Sequence, residues 1–144
     1  MEKLQLTDEQ KNAINYDGDL LISASAGSGK TFVLTKKVLK LIDRGIKLDS
    51  VLMLTFTLQA AEEMKIRLER DIKELLYDGS GTKALENALN DISNCDISTI
   101  DGFCQKLVKK FYYKLNIEPS FEILDASYSF YLKYLLKFPN NVQL

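Results

Sequence analysis

Residues 20–31 read Leu20-Leu-Ile-Ser-Ala-Ser-Ala-Gly-Ser-Gly-Lys-Thr31, and this stretch holds the residue types that bind phosphate. Ala24, Ser25, Ala26, Gly27, Ser28 and Gly29 make a tight turn of small residues, so backbone N–H groups can point inward. Lys30 offers a point charge for the β- and γ-phosphates, and Thr31 a hydroxyl for Mg²⁺. The general spacing GxxxxGK[ST] asks for glycine where this chain has Ala24, whose Cβ stands where close backbone approach is expected. The competing reading is a small-residue turn before a helix, with Lys30 in solvent. Nucleotide binding is the reading the pattern favours.

The flanking elements must hold that turn. Leu20 to Ile22 reads as a buried strand, and a helical pattern runs from Thr31 to about residue 44. In it Val33, Leu34, Val38, Leu41 and Ile42 face the core, while Lys36, Lys37 and Lys40 face outward. Upstream, Thr7-x-x-Gln10 is a capping box opening a helix to about Tyr16. Downstream, Val51–Phe56 is a continuous apolar run suited to a strand covered on both faces. Parallel pairing with the strand before the turn is the economical topology. Thr57 caps the next helix, whose apolar positions run from Ala60 to Leu76. A shorter helix follows at 83–90, then a weak strand at 96–100, an amphipathic helix at 101–115, a short strand Phe121–Leu124 and a helix carrying Phe130, Tyr131, Tyr134 and Leu135.

Composition narrows the class. The 144 residues are 46% hydrophobic and 27% charged, with a formal charge of −1, so any nucleic-acid contact must be local. Cys95 and Cys104, without a histidine in the chain, make no zinc motif. No signal-peptide core or bilayer-length apolar stretch is seen, so a cytoplasmic location without membrane contact is expected. A P-loop ATPase also needs a carboxylate at the end of another strand to hold Mg²⁺. No apolar strand here ends in an Asp-Glu pair, and the nearest candidate is Asp125.

Four segments, in order, resemble the superfamily 1A (UvrD/Rep-like) DNA helicases. Leu6–Ile14 looks like their adenine-recognising segment, and Ala24–Thr31 like their first motif, where alanine at position 24 is familiar. Leu54–Met64 and Ile97–Cys104 resemble two following motifs that contact DNA. Ser98–Cys104 with Phe121–Asp125 leans toward the helicase–nuclease (AddA/RexA-like) branch. The resemblance covers roughly residues 4–125. It implies an α/β P-loop NTPase fold, a RecA-like three-layer sandwich with a mostly parallel sheet, incomplete in this chain. Residues 4–118 would belong to domain 1A, and 119–144 would start an inserted helical subdomain.

The resemblance implies ATP and Mg²⁺ as cofactors. Gln10 would then read the adenine edge, although its capping-box role suffices to explain it. Lys30 and Thr31 would take the phosphate and Mg²⁺ roles. Thr55, Phe56, Thr57, Thr99, Asp101 and Phe103 would lie along single-stranded or duplex DNA. Phe56 would stack on a base or pack beneath the site, and Asp101 would face inward or cap the following helix. Leu58 and Gln59 depart from the family's usual Asn and Lys, and Asp101-Gly102 from the His-Ser of UvrD-like members. Lys106, Lys109 and Lys110 would add local charge or form a solvated face. The parent would be an ATP-dependent 3′–5′ DNA helicase or translocase in double-strand break repair, working with a second RecA-like domain and a partner subunit. The fragment alone is expected to lack hydrolysis and unwinding, and its missing acidic-motif strand to expose an apolar edge that invites self-association. A small P-loop kinase and a non-catalytic relic of the fold are the alternatives. The kinase would need lid arginines, which the last forty residues lack.

Overall fold

Three of the helices begin where a threonine can satisfy a backbone donor. Thr7 precedes α1 (Asp8–Asn15) and Thr57 precedes α3 (Leu58–Tyr77), each accepting from the amide three residues on. Thr99 ends β2 (Asp96–Thr99) and accepts from Gly102 N at 3.0 Å at the start of α5 (Ile100–Phe111). The expected Asp101 cap is therefore displaced to Thr99. The helix starts one residue earlier than its periodicity suggests, which leaves Asp101 exposed in the first turn, where a carboxylate suits the helix dipole. Between these elements lie α2 (Lys30–Asp43), β1 (Leu52–Thr55) and α4 (Lys83–Asp91).

The computed structural model describes residues 6–25, 27–118, 120–123, 128–130, 133 and 137. The chain divides into two compact units, Met1–Cys104 and Gln105–Leu144. In the first, β1 and β2 form a parallel pair in the register Leu52↔Asp96, Met53↔Ile97, Leu54↔Ser98 and Thr55↔Thr99. The fold is α/β, helices packed on a small parallel sheet; among the described residues the parallel pair is β1 with β2, joined through α3 and α4, and not β1 with the run before the turn. In the second unit the Lys110 and Lys114 ammonium groups lie 5.8 and 5.7 Å from the Phe111 ring centroid.

Two strand expectations are corrected. Leu20–Ile22 is not a strand: Leu21 is 94% exposed, and no described strand pairs with this run. An apolar run becomes a strand only when a neighbour takes its N–H and C=O groups, and here β1 pairs with β2 instead. Phe121–Ile123 is likewise not a strand; Leu124, Asp125, Tyr131, Tyr134 and Leu135 lie outside the described residues. β1 is shorter than 51–56 and covered on one face only. Met53 is buried while Leu52 and Leu54 are exposed, the alternation of a half-covered strand.

The core is where helical stripes meet over Met53. Val38, Leu39 and Ile42 of α2 pack with Met64, Leu68 and Ile72 of α3 and with Leu85 and Ala88 of α4. Cys95 joins them, and burial pushes its thiol pKa up. Leu48, Ile92 and Met53 complete the cluster.

The lysines of α2 do not all face outward. Lys37 Nζ donates to the carbonyls of Ala13 at 3.2 Å and Tyr16 at 2.5 Å, closing the C-terminal end of α1. Lys40 Nζ donates to Asn15 Oδ1, and Arg44 bridges Asp17, holding that carboxyl below its usual range. Lys36 sits over the Phe32 ring and 3.0 Å from Oδ2 of Asp71 on α3, an ion contact outside hydrogen-bond geometry. Asp71 is only 2% exposed, and its other oxygen takes Arg70 Nη2 at 2.8 Å. A buried carboxylate that loses one of two cations is penalised, so Lys36→Met, which keeps the stem, should cost about 1–2 kcal/mol. The check is the urea midpoint; an unchanged or raised midpoint would contradict the pairing.

Candidate nucleotide and nucleic-acid sites

The N-terminus of α2 differs from those capped by threonine. Its N-cap is Gly29, in the left-handed region at φ +85°, and among the described residues no side chain accepts from its first turn. The first backbone bond into the helix is Val33 N to Gly29 O at 2.9 Å. Lys30, Thr31 and Phe32 N–H groups therefore precede the helical ladder, with the positive end of the dipole behind them. That is the donor set an anion requires.

The loop before it is shaped for close approach. Gly27 lies at φ +79°, and a Cβ there would point into open space rather than into protein. Ser28 N reaches back to Ser25 O at 3.4 Å, closing the turn. Lys30 Nζ folds over the loop and donates to the carbonyls of Ala24 at 2.5 Å and Ser25 at 2.6 Å. A phosphate in the loop would compete with these two carbonyls for the ammonium. Thr31 is exposed, and its hydroxyl has no protein partner among the described residues. Its carbonyl accepts from the fully buried Thr35 hydroxyl at 2.9 Å, fixing the first turn.

Gln10 reaches this loop from α1. Its Oε1 accepts from Thr7 N at 3.0 Å, completing the capping box, while its Nε2 donates to Ser28 O at 3.3 Å. Thus Gln10, Ala24, Ser25, Gly27, Ser28, Gly29, Lys30 and Thr31 are gathered at one place; Ala26 lies outside the described residues. The residues fit a Mg-nucleotide: a helix start with open donors, a permissive turn, a lysine and a hydroxyl. Among the described residues, no group of three His, Cys, Asp or Glu side chains could hold a metal ion.

A second set gathers where the parallel strands end. Thr55 and Thr99 are register partners at the C-terminal edge, and α3 and α5 start just beyond them. Thr55 Oγ1 donates to Thr57 O at 2.9 Å. Thr57 and Thr99 spend their hydroxyls on caps, and Phe103 is half-buried. Phe56 is 92% exposed, which rules against packing beneath the site and leaves its ring free. Ser98, which the sequence marks only as the start of the Ser98–Cys104 segment and not as a site residue, has an Oγ that is buried without a hydrogen-bond partner among the described residues. It borders a cleft of about 430 Å³ with Leu58, Glu62, Lys65 and Ile97. Its burial is not readable from the sequence, since its surroundings come from α3.

A family model described as the UvrD/REP helicase N-terminal domain matches residues 6–141. The chain belongs to the UvrD/REP helicase family. Among curated relatives, an ATP-dependent helicase/nuclease subunit of Lactobacillus acidophilus is 49% identical over 122 residues, 83% of this chain and 10% of the relative. A protein of the same description from Lactococcus lactis subsp. cremoris is 44% identical over 128 residues, 86% of this chain and 11% of its own length. An exonuclease/helicase subunit RexA from the same subspecies matches at 44% with the same coverage. Within the UvrD/REP family the chain falls in this AddA/RexA-like branch, and it spans about a tenth of the length of these relatives. The expected resemblance is thereby borne out, and the RecA-like reading of the α/β fold with it.

For this UvrD/REP chain the exposure of Phe56 has a direct consequence. Phe56→Ala should leave stability within about 0.5 kcal/mol, whereas a core phenylalanine would cost about 3–5 kcal/mol. Thermal melting of the two proteins decides, and a loss in the core range would contradict the exposed placement.

Proposed function

We propose that this chain carries the ATP-binding loop and part of the DNA-contacting surface of an ATP-dependent 3′–5′ DNA helicase or translocase. The whole protein is read as a helicase–nuclease of double-strand break repair that works in the cytoplasm with a second RecA-like domain and a partner subunit. The observation that carries the reading is the glycine-capped start of α2, where three amides and Lys30 face a turn that Gln10 braces. Mg-ATP supplies the phosphoryl group and a divalent charge. Backbone donors of residues 27–31 would hold its phosphates, Lys30 would neutralise their charge, and Thr31 would hold the metal through its hydroxyl. Gln10 presents a carboxamide to the adenine edge.

Thr55, Phe56, Thr57, Thr99, Asp101 and Phe103 form the proposed DNA edge, with Phe56 as the stacking surface. Residues 4–118 are assigned to domain 1A and 119–144 to the start of the helical subdomain. Among the described residues no helix is long and apolar enough to cross a membrane. Hydrolysis needs a carboxylate that orders Mg²⁺ and arginines that meet the transferring phosphoryl group. The 24–31 loop supplies neither, and no apolar strand of these 144 residues ends in an Asp-Glu pair, so we read them as binding Mg-ATP without turning it over.

Titration with Mg-ATP and Mg-GTP, beside Lys30→Ala, tests this reading. Saturable binding should weaken at least about ten-fold in the variant, because a charge-assisted contact is lost. Mg-ATP should bind more tightly than Mg-GTP, and turnover should stay at background with or without single-stranded DNA. DNA-stimulated turnover lost in Lys30→Ala, or equal binding by both proteins, would contradict it.

A further inference from the structure

We propose that Gln10 is a positioning residue for the phosphate loop, holding its backbone in place independently of any base it reads. The ligand in this proposal rests on the nucleotide reading above; the bracing of the loop rests on geometry alone.

A carboxamide has an acceptor end and a donor end, and the contacts of Gln10 decide which faces where. Thr7 N–H occupies Oε1 at 3.0 Å, and Thr7 Oγ1 takes Gln10 N–H at 3.2 Å. Nε2 is thereby aimed at the Ser28 carbonyl, 3.3 Å away. A flipped amide would set oxygen against carbonyl oxygen at Ser28 and NH₂ against N–H at Thr7. The capping box therefore both starts α1 and orients the donor toward the loop.

The place it grips is the one that most needs restraint. Ser28 stands between Gly27 and Gly29, both at positive φ, where the backbone has its widest freedom. The Ser28 carbonyl and the Gly29 N–H belong to one planar trans peptide and point in opposite directions. Holding the carbonyl toward α1 therefore sets the direction of the Gly29 N–H. A second observation marks the same contact: a Cβ on Gly29 would come within 3.2 Å of Gln10 Nε2, tighter than ordinary contact, so the carboxamide would have to give by a few tenths of an ångström.

The brace has a fixed footing. α1 is tied to the body of α2 by Lys37 on the Ala13 and Tyr16 carbonyls, by Lys40 on Asn15, and by Arg44 on Asp17. These contacts join the far end of α1 to the middle and end of α2, while Gln10 joins its near end to the loop that opens α2. Loop and helix are held at both ends of one bracket. One carboxamide N–H and one oxygen lone pair remain free, so bracing the loop and reading a base are compatible.

Gln10→Glu separates the roles. Glutamate still completes a capping box but cannot donate to Ser28. The probe is Mg-tripolyphosphate, which has no base, at about 0.5 M salt to screen the added charge. Its affinity should fall about five-fold, the worth of one hydrogen bond. In the free chain, the backbone N–H order parameters of Ser28, Gly29 and Lys30 should fall while those of α1 stay as in wild type. If Gln10→Glu weakens Mg-ATP alone, leaving tripolyphosphate affinity and loop order parameters as in wild type, Gln10 reads the base only and the proposal fails. If wild type binds neither probe, the nucleotide reading fails, and the loop order parameters of the free chain still decide the bracing role. Lowered order parameters support it and unchanged ones overturn it.

Discussion

An α-helix begins with N–H groups that its own ladder cannot satisfy, and the way each is answered organises this molecule. Thr7, Thr57 and Thr99 answer it from within, each with a hydroxyl accepting from a first-turn amide. Gly29 has no side chain with which to answer. The start of α2 is left with donors and a dipole facing outward, and the lysine that follows folds over the turn onto carbonyls. The start of α4, at Thr82, also makes no side-chain cap among the described residues. It is therefore the glycine turn and Lys30 beside the open donors that mark the start of α2 as suited to an anion. The threonine-capped ends of α3 and α5, beside the sheet edge, are closed in comparison.

Keeping an uncapped helix start in place requires support from elsewhere, and α2 provides it with two faces. Its apolar stripe, Val38, Leu39 and Ile42, sinks into the core against α3 and α4. Its polar side closes the end of α1 through Lys37 and Lys40, and meets the buried Asp71 through Lys36. The lysine stems also cover surface that would otherwise be wet. One helix thus joins the phosphate loop, the capping-box helix and the long helix that starts at the sheet edge.

Features built from neighbours in sequence were legible, and features built across the fold were not. The Thr7–Gln10 box spans three residues, so residue types alone announce it. The apolar stripes of α2 and α3 follow from a period of 3.6, and β2 was visible as a short β-branched stretch. Periodicity identifies the face that is buried but says nothing of what meets the other face. That is why Lys36, Lys37 and Lys40 read as outward while they in fact take partners. Leu20–Ile22 has strand composition, but composition cannot name the partner a strand needs. At the site, the identity of Lys30, Thr31 and the glycines was readable. The grip of Gln10 on Ser28, eighteen residues away, was not, because it depends on where α1 docks.

The uncapped start of α2 is the proposed anion site of this UvrD/REP chain. Backbone amide spectra recorded during a Mg-ATP titration test it most directly. Saturable shifts should concentrate at the amides of residues 27–32, with the capped amides of Ala60 and Gly102 nearly still. Shifts spread equally over the capped helix starts, or none at residues 27–32, would contradict it.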